Sequence, residues 1–120
     1  MKQAGALLAL LALVFLAAAC GEESTGGGDA NAVQVKITEA GCDPAELEVP
    51  AGKTKFEVTN DGADAVTEYE VMDGDKVLGE AENVAPGLSG EFTLDLEPGD
   101  YTTYCPGGTT AERGTLTVTG

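Results

Sequence analysis

Apolar and polar residues alternate in short runs along most of the chain. Val33, Val35 and Ile37 share one side of a first run, and Leu47 and Val49 share one side of a second. Phe56 and Val58 alternate with Lys55, Glu57 and Thr59, and Tyr69 and Val71 alternate with Glu68 and Glu70. Phe92, Leu94 and Leu96 form a clean stripe; Tyr101, Thr103 and Cys105 point to one side, and Leu116 and Val118 close the series. A repeat of two is the mark of a strand with one face buried. The runs are separated by Pro50-Ala51-Gly52, Asn60-Asp61-Gly62, Asp73-Gly74-Asp75, Ala85-Pro86-Gly87 and Glu97-Pro98-Gly99, which are turn sequences. Short strands broken about every 8–12 residues predict an all-β sandwich or barrel. Val77-Leu78 reads as a short strand, although Asp75 to Val84 could instead hold a helical turn. The expected inward stripe is Phe56, Tyr69, Phe92, Leu94, Leu96, Tyr101 and Leu116.

The first residues follow a different pattern. After Lys2, Ala4 to Ala19 is an almost unbroken apolar stretch. It falls short of the about 20 residues that a bilayer-spanning helix needs. Small residues then lead into a cysteine, in Leu16-Ala17-Ala18-Ala19-Cys20-Gly21, as at the end of a secretory signal. The position of that cysteine resembles a bacterial lipobox, which implies lipidation of Cys20 after cleavage. Residues 1–19 are therefore expected to be a lipoprotein signal peptide, and residues 20–32 the lipidated cysteine with a Gly-rich tether. Residues 33–120 are expected to form one folded domain outside the cytoplasm, anchored to the bacterial membrane by lipid.

The formal net charge is −15, with six Lys and Arg against 21 Asp and Glu. That balance excludes a nucleic-acid partner, which needs a basic footprint. Asp43, Asp61, Asp64, Asp73 and Asp75 fall in loops or turns and serve solubility; the sharper reading of the charge is attraction of cations. The chain has no histidine, so the usual Ser-His-Asp and Cys-His catalytic sets are unavailable. No Gly-rich phosphate cradle precedes a helix, and the expectation is that the protein is not an enzyme.

Several motifs together resemble one family. They are Cys42-Asp43-Pro44 with the following strand and Pro50-Ala51-Gly52 turn, Glu68-Tyr69-Glu70, Glu82-Asn83-Val84-Ala85-Pro86-Gly87, Leu94 to Tyr101, and the late Cys105. The combination resembles the cupredoxin-like domains of the EfeO type. It implies a Greek-key β-sandwich and a role in binding or delivering iron or copper for metal uptake or homeostasis, with an envelope permease or peroxidase as partner. Two departures narrow this. EfeO proteins continue into a large helical domain, whereas this sequence stops at Gly120. Ordinary cupredoxins carry a histidine where this chain has Thr67, and further ligands in the loop that here reads Pro106 to Arg113. A His₂Cys blue-copper centre cannot be assembled.

By the resemblance, Cys42 and Cys105 lie near one end of the sandwich. They are either a disulfide, as an oxidising compartment and a small domain favour, or a pair of thiolate metal ligands completed by Glu68 and Glu70. Because Tyr69 belongs to the core by parity, the Glu pair faces at least partly outward. Glu68 and Glu70 then form a separate oxygen site with Glu80, Glu82 or Asp100. Thiolates suit copper(I) or zinc, and carboxylates suit harder ions such as ferric iron. The alternative without metal is a disulfide-stapled module that docks onto another envelope protein.

Overall fold

Period-two patterning becomes nine strands. The computed structural model describes residues 31–120, so the expected signal peptide, the lipidation site Cys20 and nearly all of the tether lie outside the described residues. In chain order the strands are β1 (Asn31–Thr38), β2 (Gly41–Asp43), β3 (Glu46–Pro50), β4 (Gly52–Asn60), β5 (Tyr69–Asp73), β6 (Lys76–Ala81), β7 (Ser89–Leu96), β8 (Gly99–Tyr104) and β9 (Arg113–Thr119). One sheet has the order β2-β1-β4-β7 and the other β3-β9-β8-β5-β6. The fold is the expected all-β Greek-key sandwich. β1 begins two residues earlier than expected: Asn31 and Ala32 pair with Thr54 and Lys55 rather than belonging to the tether.

The core lies between the sheets. Val35 and Ile37 from β1, Phe56 and Val58 from β4, Tyr69 and Val71 from β5, and Leu116 and Val118 from β9 are buried. Phe56 stacks on Phe92, with ring centroids 5.0 Å apart, and Tyr69 leans on both rings. Of the expected inward stripe, Phe92, Leu94 and Tyr101 are only partly buried and pack against the core from its margin.

The segment Asp75 to Val84 holds no helical turn; Lys76–Ala81 is strand β6. Its ladder to β5 pairs Tyr69 with Ala81, Glu70 with Glu80 and Val71 with Gly79. The physical reason is packing. A Cβ at Gly79 would come within 2.9 Å of Phe92 and 2.8 Å of Leu94, so only a flat, glycine-bearing strand can lie over those side chains. On the outer face of the other sheet, Lys55 bridges Glu57 at 3.6 Å and Glu91 at 3.3 Å. Among the described residues, no lysine or arginine makes such a bridge to a carboxylate of the five-stranded sheet.

Candidate metal centre

The two core cysteines meet at one pole. Cys42 sits in β2 of the four-stranded sheet, and Cys105 directly follows β8 of the five-stranded sheet. Their sulfurs are bonded, with S–S 2.04 Å and Cα–Cα 5.5 Å, and both residues are buried. This corrects the thiolate-ligand reading: a sulfur in a disulfide has given up the charge that would bind a metal. Cys42 and Cys105 act here as a bridge between the sheets.

The loop after Cys105 closes this pole with backbone rather than ligands. Cys105 N–H donates to Glu112 C=O at 2.7 Å, and Cys42 N–H donates to Ala111 C=O at 2.9 Å. Ala111 N–H and Thr110 N–H both donate to Ala40 C=O, and Gly107 N–H donates to the Glu112 carboxylate at 3.0 Å. The approach is close enough that a Cβ on Gly108 would lie 2.6 Å from Ala40 O. A side chain at position 108 has no room there.

The carboxylates converge elsewhere. Glu68 precedes β5 and Glu82 follows β6, so each lies one residue beyond the last β5–β6 pair, Tyr69 with Ala81. Alternation places Glu68, Glu80 and Glu82 on the outer face, since Tyr69 and Ala81 point into the core. Carboxylate oxygens of these three residues lie within 4.8 Å of one another, close enough to share one cation. Glu70 and Asp100 are not part of this group. Glu70 stands opposite Glu80 on one side and Tyr104 on the other. Asp100 stands opposite Thr117, near the start of β8 and away from the cluster. The Tyr104 ring next to Glu70 is covered by the Arg113 guanidinium, 4.2 Å from its centroid.

Crowded like charges leave a signature in titration. A shared hydrogen bond with Glu80, and then the charge of Glu80, raise the Glu82 pKa above the ordinary glutamate value. A carboxylate whose folded pKa exceeds its unfolded value adds stability at low pH and loses it as pH rises through the folded value. Glu82→Gln is therefore expected to abolish that part of the pH dependence without destabilising the fold at neutral pH. Carboxyl carbon titration by NMR reads it directly; a Glu82 that titrates like an isolated glutamate contradicts the expectation. On the inner face, burial pushes the Tyr69 phenol far up, opposed in part by the neighbouring Thr103 hydroxyl.

One residue of this region escaped the sequence reading, which treated Asn60-Asp61-Gly62 only as a strand end. Asn60 is 1% exposed. The two hydrogens on its Nδ2 are shared among the carbonyls of Ala63 at 2.9 Å, Val66 at 3.1 Å and Val84 at 2.7 Å, and its Oδ1 accepts from Ala63 N–H at 2.7 Å. The available signal was parity: Thr54, Phe56, Val58 and Asn60 all share the inner side of β4.

Comparisons with known proteins agree with this architecture. The model of the family described as "Cupredoxin-like domain" matches residues 6–118. The iron uptake system component EfeO of Yersinia pestis is 40% identical over 96 residues, which is 80% of this chain and 25% of that protein. EfeO of Escherichia coli strain K12 is 40% identical over 92 residues, 77% of this chain and 24% of that protein. The chain thus spans about a quarter of the length of the curated relatives it matches. Among solved structures, reduced auracyanin from Roseiflexus castenholzii superposes with a TM-score of 0.63 at 17% identity, covering 78% of this chain and all of that one. With a matching family model over most of its length and a sandwich of the same architecture, this chain belongs to the cupredoxin-like domain family and is similar within it to the iron uptake component EfeO.

Proposed function

We propose that this protein is an extracytoplasmic lipoprotein, anchored through Cys20, that binds iron on Glu68, Glu80 and Glu82 and passes it on within an uptake system. The observation that carries the reading is the meeting of these three carboxylates within 4.8 Å. The similarity to proteins named as iron uptake components supports the choice of cargo. Carboxylate oxygen suits a hard cation, whereas copper electron transfer asks for imidazole and thiolate. The chain has no histidine and both core sulfurs are bonded to each other, so a copper centre of that kind does not fit. Glu70, next to the cluster on the same face, is a route by which the ion approaches or leaves. An envelope permease or peroxidase is the partner this role asks for.

Calorimetric titration of the full chain in detergent, with anaerobic ferrous iron and with Tb³⁺ as a hard trivalent probe, tests the reading. Saturable binding near one ion per chain is expected. Replacing Glu68, Glu80 and Glu82 together by Gln is expected to weaken it at least about tenfold, the lower end for disturbed metal sites. Equal heats from wild type and the triple variant would refute the site. Absence of any saturable binding would leave the stapled docking module, which the buried disulfide favours.

A further inference from the structure

We infer that Asn60 is the positioning residue of the carboxylate cluster, acting from the opposite sheet; this rests on the proposed cation site. Glu68 and Glu82 both lie just past the end of the β5–β6 ladder, where strand ends ordinarily fray. Together with Glu80 they bring three carboxyl groups within 4.8 Å of one another, and when charged their repulsion drives the two chain segments apart. Something must hold the backbone of both against that force.

Asn60 does so from the inner side of β4. The carbonyls it grips, of Val66 and Val84, belong to residues two before Glu68 and two after Glu82. The grip on Ala63 through both its C=O and its N–H fixes the start of the segment that leads to Glu68. The two gripped segments are also joined to each other, because Val84 N–H donates to Thr67 C=O at 2.9 Å. The backbone of Asn60 adds to the closure: its N–H donates to Leu88 C=O and its C=O accepts from Gly87 N–H, both at 2.9 Å.

The residue type is what the task needs. Only a primary amide offers two N–H donors and an acceptor on a short side chain, and a buried amide with every group satisfied makes strong, well-directed bonds. An aspartate of the same shape keeps the acceptor for Ala63 N–H but cannot donate to Val66 and Val84. Residues that orient ligands from behind change metal affinity by about 10–100-fold when replaced.

The test is a double-mutant cycle on the full chain, with Tb³⁺ as the probe. Asn60→Asp is expected to weaken Tb³⁺ binding at least about tenfold. Combined with Glu68→Gln, it is expected to add less than about twofold beyond Glu68→Gln alone, because coupled residues are not additive. Leu116→Ala, a core change remote from the cluster, serves as the control for stability loss and should keep the wild-type affinity while folded. Wild-type affinity in folded Asn60→Asp, or strictly additive losses, would overturn the inference. If the wild-type chain binds no Tb³⁺, the cation reading fails separately, and amide hydrogen exchange decides the positioning role. The Val84 amide, which joins the two gripped segments, should then exchange at least about tenfold faster in Asn60→Asp than global unfolding accounts for; unchanged local protection would sink it.

Discussion

Replacing Cys42 and Cys105 together by alanine is expected to lower the stability of the domain by about 4 kcal/mol. The bridge closes a loop across a sequence separation of 63, and in the chain-entropy model that constraint acts mainly by removing conformations from the unfolded chain. It joins the two sheets at the pole where the loop after Cys105 bonds to Ala40 and Cys42. Domains of this size have total stabilities of about 5–15 kcal/mol, so the double variant approaches the threshold of folding. Urea denaturation with linear extrapolation measures the difference. A loss below about 1 kcal/mol would show that the sheets hold this pole closed without the bond. Because both sulfurs are buried, mild reductant should leave the bridge intact in the folded protein and cleave it only with unfolding.

Phe56→Ala is expected to cost about 3–5 kcal/mol, the usual range for deleting a buried aromatic ring. Phe56 is fully buried, stacks on Phe92 and touches Tyr69. These three rings come from β4, β7 and β5 and join the two sheets at the middle of the sandwich. Neighbouring strands cannot collapse into the space, because β4 is hydrogen-bonded on both sides, to β1 and to β7. Thermal or urea unfolding of the disulfide-intact variant gives the value. A cost under about 1.5 kcal/mol, typical of tolerated swaps, would mean that Phe92 and Tyr69 refill the site.

Most of the architecture was legible because a strand with one buried face writes itself as alternation. Phe56, Tyr69, Leu96 and Leu116 were assigned inward from sequence and are buried. β6 was harder. Its exposed Lys76 and Val77, with Gly79 and Glu80, do not alternate cleanly, and the strand lies over Phe92 and Leu94. The cluster was half legible. The outward direction of Glu68 followed from the inward Tyr69, but which other acid would meet it depended on the β5–β6 register, which sets Glu70 beside Glu80, while Asp100 lies on β8 opposite Thr117. Asn60 was invisible as a clamp because its partners are carbonyls, which any sequence supplies everywhere.

The order of strands in the five-stranded sheet places β9 between β3 and β8. Among the described residues, β3 has its ladder partner only in β9, in parallel register from Glu46 with Thr115 to Pro50 with Thr119. The β3 strand therefore waits for residues 113–119 before its ladder can form, whereas β8, β5 and β6 pair with one another without them. Pairings between distant parts of the chain are slow to form, so β3 is expected to be among the last strands to gain its hydrogen bonds.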